Sequence, residues 1–425
     1  MKILIISYAP LCLYSNGGKS FLSLFSNFSS DELIQFYINP GLPDGEWCSS
    51  FYQQKESDLI KLFKNLKVNH FVTPSSVQQL HSVRKEHSKR FRTIKLLLRD
   101  FVWLCFFRIN YTLDNWIKKN GPDFILSDTG DSSFLYRISM KFSKRYNIPI
   151  IGYFGDNYYS IKCPWWSFAR KIQLSLLKRT IKKFTLNNFL NIFVNRFYRD
   201  FFKERFSLPD QRIITIYNGA NFDFSDCDDY HIECEKKMVF SYIGNLSLGR
   251  GDNIILIGKA LSLFNKQNRT DHKLLIFASA TDDFKEQCEL VDSINYMGVI
   301  PGEKVKEAII KSDILIHTES FETNNLDLTR YSMSTKIGDS LASGKCLLAF
   351  GPIEASSIRY LVDEGCAFCI TSKERLAEML KTLIINIDLI EKTGKKGKRV
   401  ADKNHNSHKN SIYLKEVLNK ELTTI

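Results

Sequence analysis

Short apolar runs alternate along the chain with longer segments of helical periodicity. In the first half, the runs that predict buried strands span residues 2–8, 33–39, 123–127, 148–154, 189–194 and 213–217. In the second half they span residues 239–243, 274–278, 294–297, 314–317, 346–350 and 367–370. Helices are predicted between most of them, for example over 132–146, 252–267, 303–311, 334–343 and 373–385. This alternation predicts an α/β protein with two doubly wound parallel sheets.

The length and one turn signal divide this pattern into two domains. A chain of 425 residues is too long for one ordinary core. Residues 217–221 follow a predicted strand and contain Asn218-Gly219, a dipeptide typical of turns. We therefore predict two Rossmann-like domains, over residues 1–221 and 222–403. Ligands of such sheets bind at the carboxyl ends of the strands, so a ligand crevice is expected between two facing domains.

Positive charge is concentrated in the first half. Residues 1–222 contain 32 Lys and Arg against 16 Asp and Glu, a net charge of +16, and the remaining residues contain 27 against 30, a net charge of −3. Two basic stretches rich in aromatic residues, 84–108 and 162–205, dominate the excess. They suit either an anionic membrane surface or a solvated face over a core helix. Nucleic acid is not expected, because no recognisable binding module accompanies the charge.

The cysteines and the apolar start of the chain indicate an ordinary cytoplasmic protein. No apolar run approaches the roughly 18–20 residues that a membrane span needs, and residues 3–8 predict a first strand rather than a signal peptide. The ten cysteines are scattered. The C-x-x-C pair Cys366 and Cys369 lies in a strand-like run without a second pair, which favours buried thiols over a metal or redox site.

The segment 331–352 has the chemistry of an anion site beside a hydroxyl site. Its predicted helix opens with Ser334-Thr335-Lys336, where free backbone N–H groups and the positive end of the helix dipole favour a phosphate. Asp339 follows about one turn later and can accept hydrogen bonds from hydroxyl groups. A phosphate-binding site next to a group that binds hydroxyls suits a sugar nucleotide.

The same segment resembles the donor-binding motif of family 4 GT-B glycosyltransferases, in the variant Ser-Thr-Lys-Ile-x-Glu-x-Leu-Ala-Ser-Gly. Residues 244–251 resemble a second motif of that family, Gly-Arg-Leu-x-x-x-Lys-Gly. They retain Gly244 and place Arg250 at the lysine position, but Asn245 replaces the arginine. The resemblance implies the GT-B architecture and a diphosphate held by Arg250, with Lys336 substituting for the missing cation. It also implies that a last helix within about 404–425 packs back on the first domain, after a loop over 392–399.

Further donor contacts follow from the same resemblance. Residues 317–321 resemble the Glu-Gly-Phe part of the family's paired-glutamate motif, which implies that Glu319 borders the donor sugar and Asp339 holds the ribose hydroxyls. Twenty positions separate the two carboxylates, more than is usual in the family. The extra residues, 322–331, are expected to form a loop over the donor. The turn at Gly298-Val299 resembles the one whose backbone contacts the base. Backbone contacts do not distinguish uracil from guanine, so both bases remain candidates.

Candidate residues in the first half are fewer. Gly17 and Gly18 follow the first predicted strand and open a helix, as the family's Gly-Gly loop does. A P-loop would need a glycine at Leu13, so a nucleoside triphosphatase is not expected. Asp156 ends a predicted strand and is an acceptor-side candidate, or else a loop-capping residue. Asp128 and Asp131 are weaker candidates, and the acidic pairs 226/228 and 282/283 predict solvated loops rather than a metal site.

Together these features and the resemblance predict a glycosyltransferase without a cofactor, and the resemblance implies that transfer is retaining and independent of metal. It would move a sugar from a nucleoside-diphosphate sugar to a glycan or lipid-linked acceptor in bacterial surface-polysaccharide synthesis, in the cytoplasm or on the inner face of the membrane. Positive groups would stabilise the charge on the departing diphosphate. Two alternatives stay open: a non-catalytic binding or scaffold protein, which the departures at Asn245 and Asp339 favour, and a GT-B epimerase or phosphorylase.

Overall fold

The computed structural model describes residues 1–12, 16–63, 70–74, 89–128, 130–163, 167–220, 222 and 237–422. They divide into two compact units, one formed by Met1–Ile216 with Ser411–Ile425 and the other by Tyr217–Asn410. The first unit ends five positions before the predicted boundary at residue 221, directly after its last strand. Among the described residues, no helix combines the length and the apolar character needed to cross a bilayer.

The described part of the first unit contains a seven-stranded parallel sheet in the order β3-β2-β1-β4-β5-β6-β7. Its strands are β1 Ile3–Ser7, β2 Leu33–Tyr37, β3 Ser50–Gln53, β4 Phe124–Asp128, β5 Ile150–Phe154, β6 Leu190–Phe193 and β7 Ile213–Thr215. Its helices are α1 Asn16–Ser23, α2 Glu56–Phe63, α3 Lys89–Phe106, α4 Tyr111–Asn120, α5 Ser133–Tyr146, α6 Phe168–Asn187 and α7 Arg196–Phe206. Every residue of β1, β2 and β5 is buried, as expected of parallel strands covered on both faces.

The described part of the second unit contains a six-stranded parallel sheet in the order β10-β9-β8-β11-β12-β13. Its strands are β8 Val239–Ile243, β9 Lys273–Phe277, β10 Ile294–Gly298, β11 Ile314–Thr318, β12 Cys346–Phe350 and β13 Phe368–Ile370. Its helices are α8 Arg250–Asn268, α9 Asp282–Glu289, α10 Lys304–Ile310, α11 Thr323–Thr329, α12 Lys336–Ala342, α13 Ser356–Glu364, α14 Leu376–Ile384 and α15 Ile387–Asn404.

The last helix, α16 (Ser407–Leu422), joins the first unit from Ser411 onward. The backbone N–H of Asn27 donates to Ser411 Oγ at 3.0 Å, and the Lys415 ammonium lies 2.7 Å from the Glu32 carboxylate. The helix returns because both of these polar contacts and the fully buried side chains of Leu414 and Leu418 fix it there.

Two predictions of loops were wrong. Residues 322–331 contain α11, whose side chains Leu326 and Thr329 are buried. Residues 392–399 lie inside α15, although they include Gly394 and Gly397. A Cβ at Gly394 would clash with the carbonyl oxygen of Gly344, so this glycine allows a helix to lie directly against the backbone. Glycine here marks close packing and not a chain break.

Candidate active site

Both sheets reverse their winding direction next to their first strand. In the second unit the chain runs outward from β8 through β9 to β10 and then returns to β11 on the other side of β8. The segments that follow β8 and β11 are therefore neighbours at the carboxyl edge of the sheet. Such topological switch points are where doubly wound sheets bind ligands. Residues 244–250 follow β8 and Glu319 follows β11, so the predicted donor residues lie at this point.

The loop after β8 is shaped by its glycines. Gly249 has a φ of +72°, and a Cβ there would lie 2.5 Å from Ser320 Oγ and 2.7 Å from Asn325 Nδ2. A Cβ at Gly244 would lie 2.8 Å from the Tyr242 hydroxyl. Glycine is therefore required at position 249 both by its left-handed backbone and by the close approach of the segment after β11.

Asn245, which replaces an arginine of the family motif, is used by its own loop. Its side-chain Oδ1 accepts a hydrogen bond from the Ser247 N–H at 2.8 Å, and its carbonyl accepts one from the Tyr242 hydroxyl at 2.7 Å. The side chain is exposed. Asn245 therefore stabilises the turn and adds no charge to the site.

Arg250, the first residue of α8, pairs with Glu319. Its Nη2 lies 3.1 Å from Oε1 and 3.0 Å from Oε2 of the carboxylate. The side chain of Glu319 is 3% exposed and that of Arg250 is 19% exposed. The pair therefore joins the elements on the two sides of the switch point, and solvent reaches it from the arginine side.

Polar groups below the pair hold Glu319 in place. Asn253 Nδ2 donates to the Glu319 carbonyl at 2.8 Å and to Thr318 Oγ1 at 2.9 Å. His317 Nε2 lies 3.0 Å from Ser357 Oγ, and burial, assisted by the Arg250 charge, lowers the pKa of His317 to about 3, so this imidazole is neutral. Burial raises the pKa of Glu319, while Arg250 and Ser357 act in the opposite direction. Asn253 was not predicted as a site residue, because its position on α8 carries no motif.

A second cation, Lys336, lies within electrostatic reach of Arg250. Burial lowers the pKa of the half-buried Lys336, the charge of Asp339 opposes this, and the positive charge of Arg250 lowers it further. Lys336 begins α12, Thr335 precedes it, and the Ser334 hydroxyl accepts a weak hydrogen bond from the Lys336 N–H at 3.4 Å. Asp339 lies in the first turn of α12. The structure therefore brings Arg250, Glu319 and Lys336 into one electrostatic neighbourhood.

The predicted base-binding turn lies at the end of β10. Gly298 has a φ of +74° with nothing within 4 Å of a hypothetical Cβ, and Val299 is 71% exposed. The turn leaves its backbone open to solvent at the carboxyl edge, two strands away from β8.

In the first unit the predicted residues also follow strands next to the switch point, here between β1 and β4. Gly17 and Gly18 lie in the first turn of α1. The amide of the buried Gln35 fixes the start of the connecting loop, donating to Ser7 Oγ at 2.8 Å and accepting from the Leu11 N–H at 3.1 Å.

Acidic and phenolic groups follow β4 and β5. The exposed Asp156 accepts from the Tyr158 hydroxyl at 3.4 Å, and its carbonyl accepts from the Tyr198 hydroxyl at 3.1 Å. Asp128 ends β4, where burial and the charge of Asp156 raise its pKa to about 7. Asp131 lies 3.8 Å from the Arg99 guanidinium. Of these carboxylates, Asp128 therefore senses the charge of Asp156, and Asp131 pairs with a cation.

The remaining candidates are the acidic pairs and the C-x-x-C pair. No three His, Cys, Asp or Glu side chains group together there in a way that could hold a metal ion. Asp282 begins α9 and pairs with Lys285 at 2.7 Å, and the pair 226/228 lies outside the described residues. Cys366 and Cys369 are free thiols whose pKa burial raises to about 12.

Comparisons with known proteins identify the fold. No family model and no curated protein matches the chain. HepE of Anabaena, solved in complex with UDP, is 14% identical, with 99% of this chain and 100% of that chain covered and a TM-score of 0.60. Sucrose-phosphate synthase from Thermosynechococcus elongatus is 11% identical over 100% of both chains, with a TM-score of 0.63. WaaG, a glycosyltransferase involved in lipopolysaccharide biosynthesis, is 12% identical, with 96% and 98% covered and a TM-score of 0.53.

These similarities show the fold of the chain: two parallel-sheet units with helices, as in GT-B glycosyltransferases. The expected α/β architecture of Rossmann-like, doubly wound domains is confirmed.

Proposed function

We propose that the protein is a glycosyltransferase that takes its sugar from a uridine diphosphate sugar. The observation that carries the proposal is the position of Arg250, Glu319 and Lys336 at the switch point of the second unit. A solvent-facing arginine and a nearby lysine with a lowered pKa form a site for a diphosphate. The choice of uridine rests on HepE, which has the same fold and has been solved with UDP and with UDP-glucose.

The proposed reaction uses these cations at the leaving group. The bond between the anomeric carbon and the β-phosphate oxygen breaks, and the acceptor hydroxyl forms the new bond and loses its proton. Negative charge grows on the departing diphosphate, where Arg250, Lys336 and the backbone N–H groups of residues 334–336 stabilise it. We propose that this replaces a metal ion and that the anomeric configuration is retained, as the resemblance to family 4 implies.

The two carboxylates have separate roles in this proposal. Glu319 borders the donor hexose and also orients Arg250 through their contact at 3.0 Å. Asp339 lies one turn beyond Lys336 on α12, where it would accept bonds from the ribose hydroxyls. The backbone of Gly298 and Val299 would contact the base, and the Gly17-Gly18 turn and Asp156 would contact the acceptor side.

For the acceptor we propose a glycan or lipid-linked sugar of bacterial surface polysaccharide. The protein would bind this acceptor at the inner face of the membrane. The support is the charge of the first unit and an apolar stripe on α3. Ile94, Leu98, Phe101 and Leu104 repeat at helical spacing and are 44%, 58%, 60% and 57% exposed. Basic helices with an exposed apolar stripe bind anionic interfaces. Residues 84–88 and the tryptophans at 165 and 166 of the same basic stretches lie outside the described residues.

Calorimetric titration with UDP, GDP, ADP, dTDP and CMP tests the donor site. We expect UDP to bind, and Arg250→Ala to weaken binding about 10- to 100-fold, since hydrogen bonds to charged groups contribute roughly 1.5–3 kcal/mol. Lys259→Ala is the matched control, because this exposed cation lies on the same helix α8. Failure of every nucleoside diphosphate to bind would contradict the proposal.

One observation favours a second candidate, a nucleotide-binding protein without catalysis. The side chain of Asn245 hydrogen-bonds within its own turn. The arginine that the family motif has at this position is therefore not replaced by another cation there. This candidate predicts that UDP binds normally while UDP-glucose and other UDP sugars are neither transferred nor hydrolysed. Transfer from any UDP sugar to a lipid extract or glycan excludes it.

A further inference from the structure

A basic cavity lies in the first unit between α6 and the segment 159–163. Its volume is about 350 Å³, and four of its nine lining side chains are cations. The cations are Lys171, Lys178, Arg179 and Lys182. No carboxylate lines the cavity, and the sequence of α6 contains no Asp or Glu at all. The cavity therefore has the charge of an anion-binding site.

Three of the four cations, Lys171, Lys178 and Lys182, lie with Ser175 along one stripe of the helix, and Arg179 lies beside it. Positions 171, 175, 178 and 182 repeat at helical spacing and extend over roughly 16 Å at 1.5 Å per residue. The opposite stripe, which includes Leu177 and Phe184, is buried in the core. The helix is thus anchored on one side while its positive side faces the cavity, and the row of polar positions along it is longer than a single phosphate.

Three of the cations lack a negative partner. Within the described part of the chain, Lys171, Arg179 and Lys182 make no salt bridge. Lys178 donates to the Ile161 carbonyl at 2.9 Å and so fixes the opposite wall. Burial lowers the pKa of Lys178, Cys163 opposes this, and the Arg205 charge lowers it further. An anion in this cavity would supply the negative partner that Lys171, Arg179 and Lys182 lack among the described residues.

An exposed apolar stripe runs beside the cations on the same helix. Phe168, Ile172 and Leu176 are spaced four residues apart and are 76%, 40% and 38% exposed. Neighbouring stripes of this kind present a charged surface and an apolar surface to one ligand. The combination fits a phosphate attached to a hydrocarbon chain better than a free phosphate ion.

The cavity adjoins the acceptor-side segment. Tyr159, which lines it, follows Asp156 by three residues, so their Cα atoms are at most about 11 Å apart. The Tyr159 ring packs against Phe202 and Phe206 of α7, with centroids 5.7 and 5.1 Å away. The segment that carries Asp156 is therefore held against the wall of the cavity.

We infer that this cavity holds the phosphate groups of a lipid-linked acceptor, with the hydrocarbon chain against the apolar stripe of α6. The inference rests on the proposed function, because it identifies the acceptor as a lipid phosphate or diphosphate. It assigns a role to Lys171, Arg179 and Lys182 that the donor site does not require.

Calorimetry with farnesyl diphosphate, inorganic pyrophosphate and farnesol tests the inference. All titrations use the Arg250→Ala background, which weakens diphosphate binding at the donor site and keeps the test independent of whether UDP binds. We expect farnesyl diphosphate to bind more tightly than either fragment. Lys171→Gln with Lys182→Gln should weaken its binding at least about tenfold. The control pair Lys119→Gln with Lys144→Gln removes the same charge from exposed positions outside the cavity and should leave the binding unchanged.

A third pair, Ile172→Ser with Leu176→Ser, separates the two sources of phosphate. These substitutions should weaken the binding of farnesyl diphosphate and leave the binding of pyrophosphate unchanged. Equal affinity for pyrophosphate and farnesyl diphosphate would overturn the lipid assignment and indicate a site for free phosphate. If the Lys171/Lys182 variant and the Lys119/Lys144 variant lose the same affinity for farnesyl diphosphate, the site itself is overturned. Such a result would indicate only non-specific attraction to a basic surface. Binding to phosphatidylglycerol vesicles that exceeds binding to farnesyl diphosphate would overturn the acceptor assignment in favour of bilayer lipid.

Discussion

Removing the arginine of the Arg250–Glu319 pair should destabilise the second unit in a pH-dependent way. Arg250→Met keeps an unbranched side chain of similar reach but leaves Glu319, with its side chain only 3% exposed, without a counter-charge. Glu319→Gln leaves Arg250, which is 19% exposed and can be hydrated. The two variants therefore break the same contact but leave different charges behind.

The geometry sets the size of the effect. At a charge separation of about 4 Å and an effective dielectric constant of about 20, the attraction is roughly 4 kcal/mol. Loss of one partner of a buried pair typically costs about 3–5 kcal/mol. We expect a decrease of about 3 kcal/mol in the free energy of unfolding for Arg250→Met at pH 8, and about 1 kcal/mol for Glu319→Gln.

Protonation of Glu319 limits this cost. Burial already raises its pKa, and loss of the guanidinium raises it further. A carboxyl group whose folded pKa exceeds its unfolded value of about 4.3 destabilises the fold above that value and not below it. At pH 5 the penalty in Arg250→Met is therefore limited to about 1 kcal/mol, because one pKa unit corresponds to about 1.36 kcal/mol.

The unfolding free energy of the second unit is measured by urea titration, with pulsed amide exchange of β11 and β12 as the signal. Both strands belong to the second unit, so the signal reports this unit alone. The five tryptophans all lie between residues 47 and 166, so their fluorescence reports the first unit and is an internal control. Lys259→Met, on the exposed face of the same helix, controls for loss of charge. An equal loss at pH 5 and pH 8, or a larger loss in Glu319→Gln than in Arg250→Met, would refute the reasoning.

Three further outcomes are expected. Asp128→Asn should stabilise the first unit by about 2–3 kcal/mol more at pH 8 than at pH 5, measured by tryptophan fluorescence in urea. Burial and Asp156 raise the pKa of Asp128 to about 7, so the ionised carboxylate destabilises the folded state; a pH-independent change would contradict this. Gly351→Ala should lower the free energy of unfolding by about 1–3 kcal/mol, since its Cβ would lie 2.8 Å from the Glu319 carbonyl oxygen, a backbone atom. Amide exchange of β12 measures this change, and protection equal to that of the wild type would contradict it. UDP affinity should be unchanged by EDTA, because Arg250 and Lys336 supply the positive charge, and calorimetry that shows a loss would disprove this.

The sequence predicted buried elements well and solvent-facing ones poorly. Strands β8 and β12 begin and end where predicted, because parallel strands covered on both faces appear as uninterrupted apolar runs. The edge strand β3, Ser50–Gln53, was not predicted, since it is short and half polar. The helix α11 was missed because its polar sequence contains few apolar residues to mark a periodicity.

The candidate site was predictable as residues but not as contacts. Motif similarity identified Arg250 and Glu319 separately, and 69 positions separate them in the chain. Their pairing depends on β8 and β11 being neighbours at the point where the winding reverses, which is a property of the strand order. The role of Asn245 as a turn residue depends equally on the Ser247 N–H and the Tyr242 hydroxyl, and neither contact has a sequence pattern.

The proposed function asks the pair of Arg250 and Glu319 to serve as a ligand site as well as a structural contact. Burial lowers the pKa of Lys336, Asp339 opposes this and Arg250 lowers it further, so Arg250 acts on Lys336 although Glu319 pairs with it. Arg250 contacts the carboxylate through one nitrogen, Nη2, in both of its hydrogen bonds with Glu319. In the proposed function, a diphosphate binds at the solvent-facing side of the guanidinium while Glu319 continues to orient it. Glu319 would then support the cation, and the proposed ligand would supply the negative charge that balances Lys336.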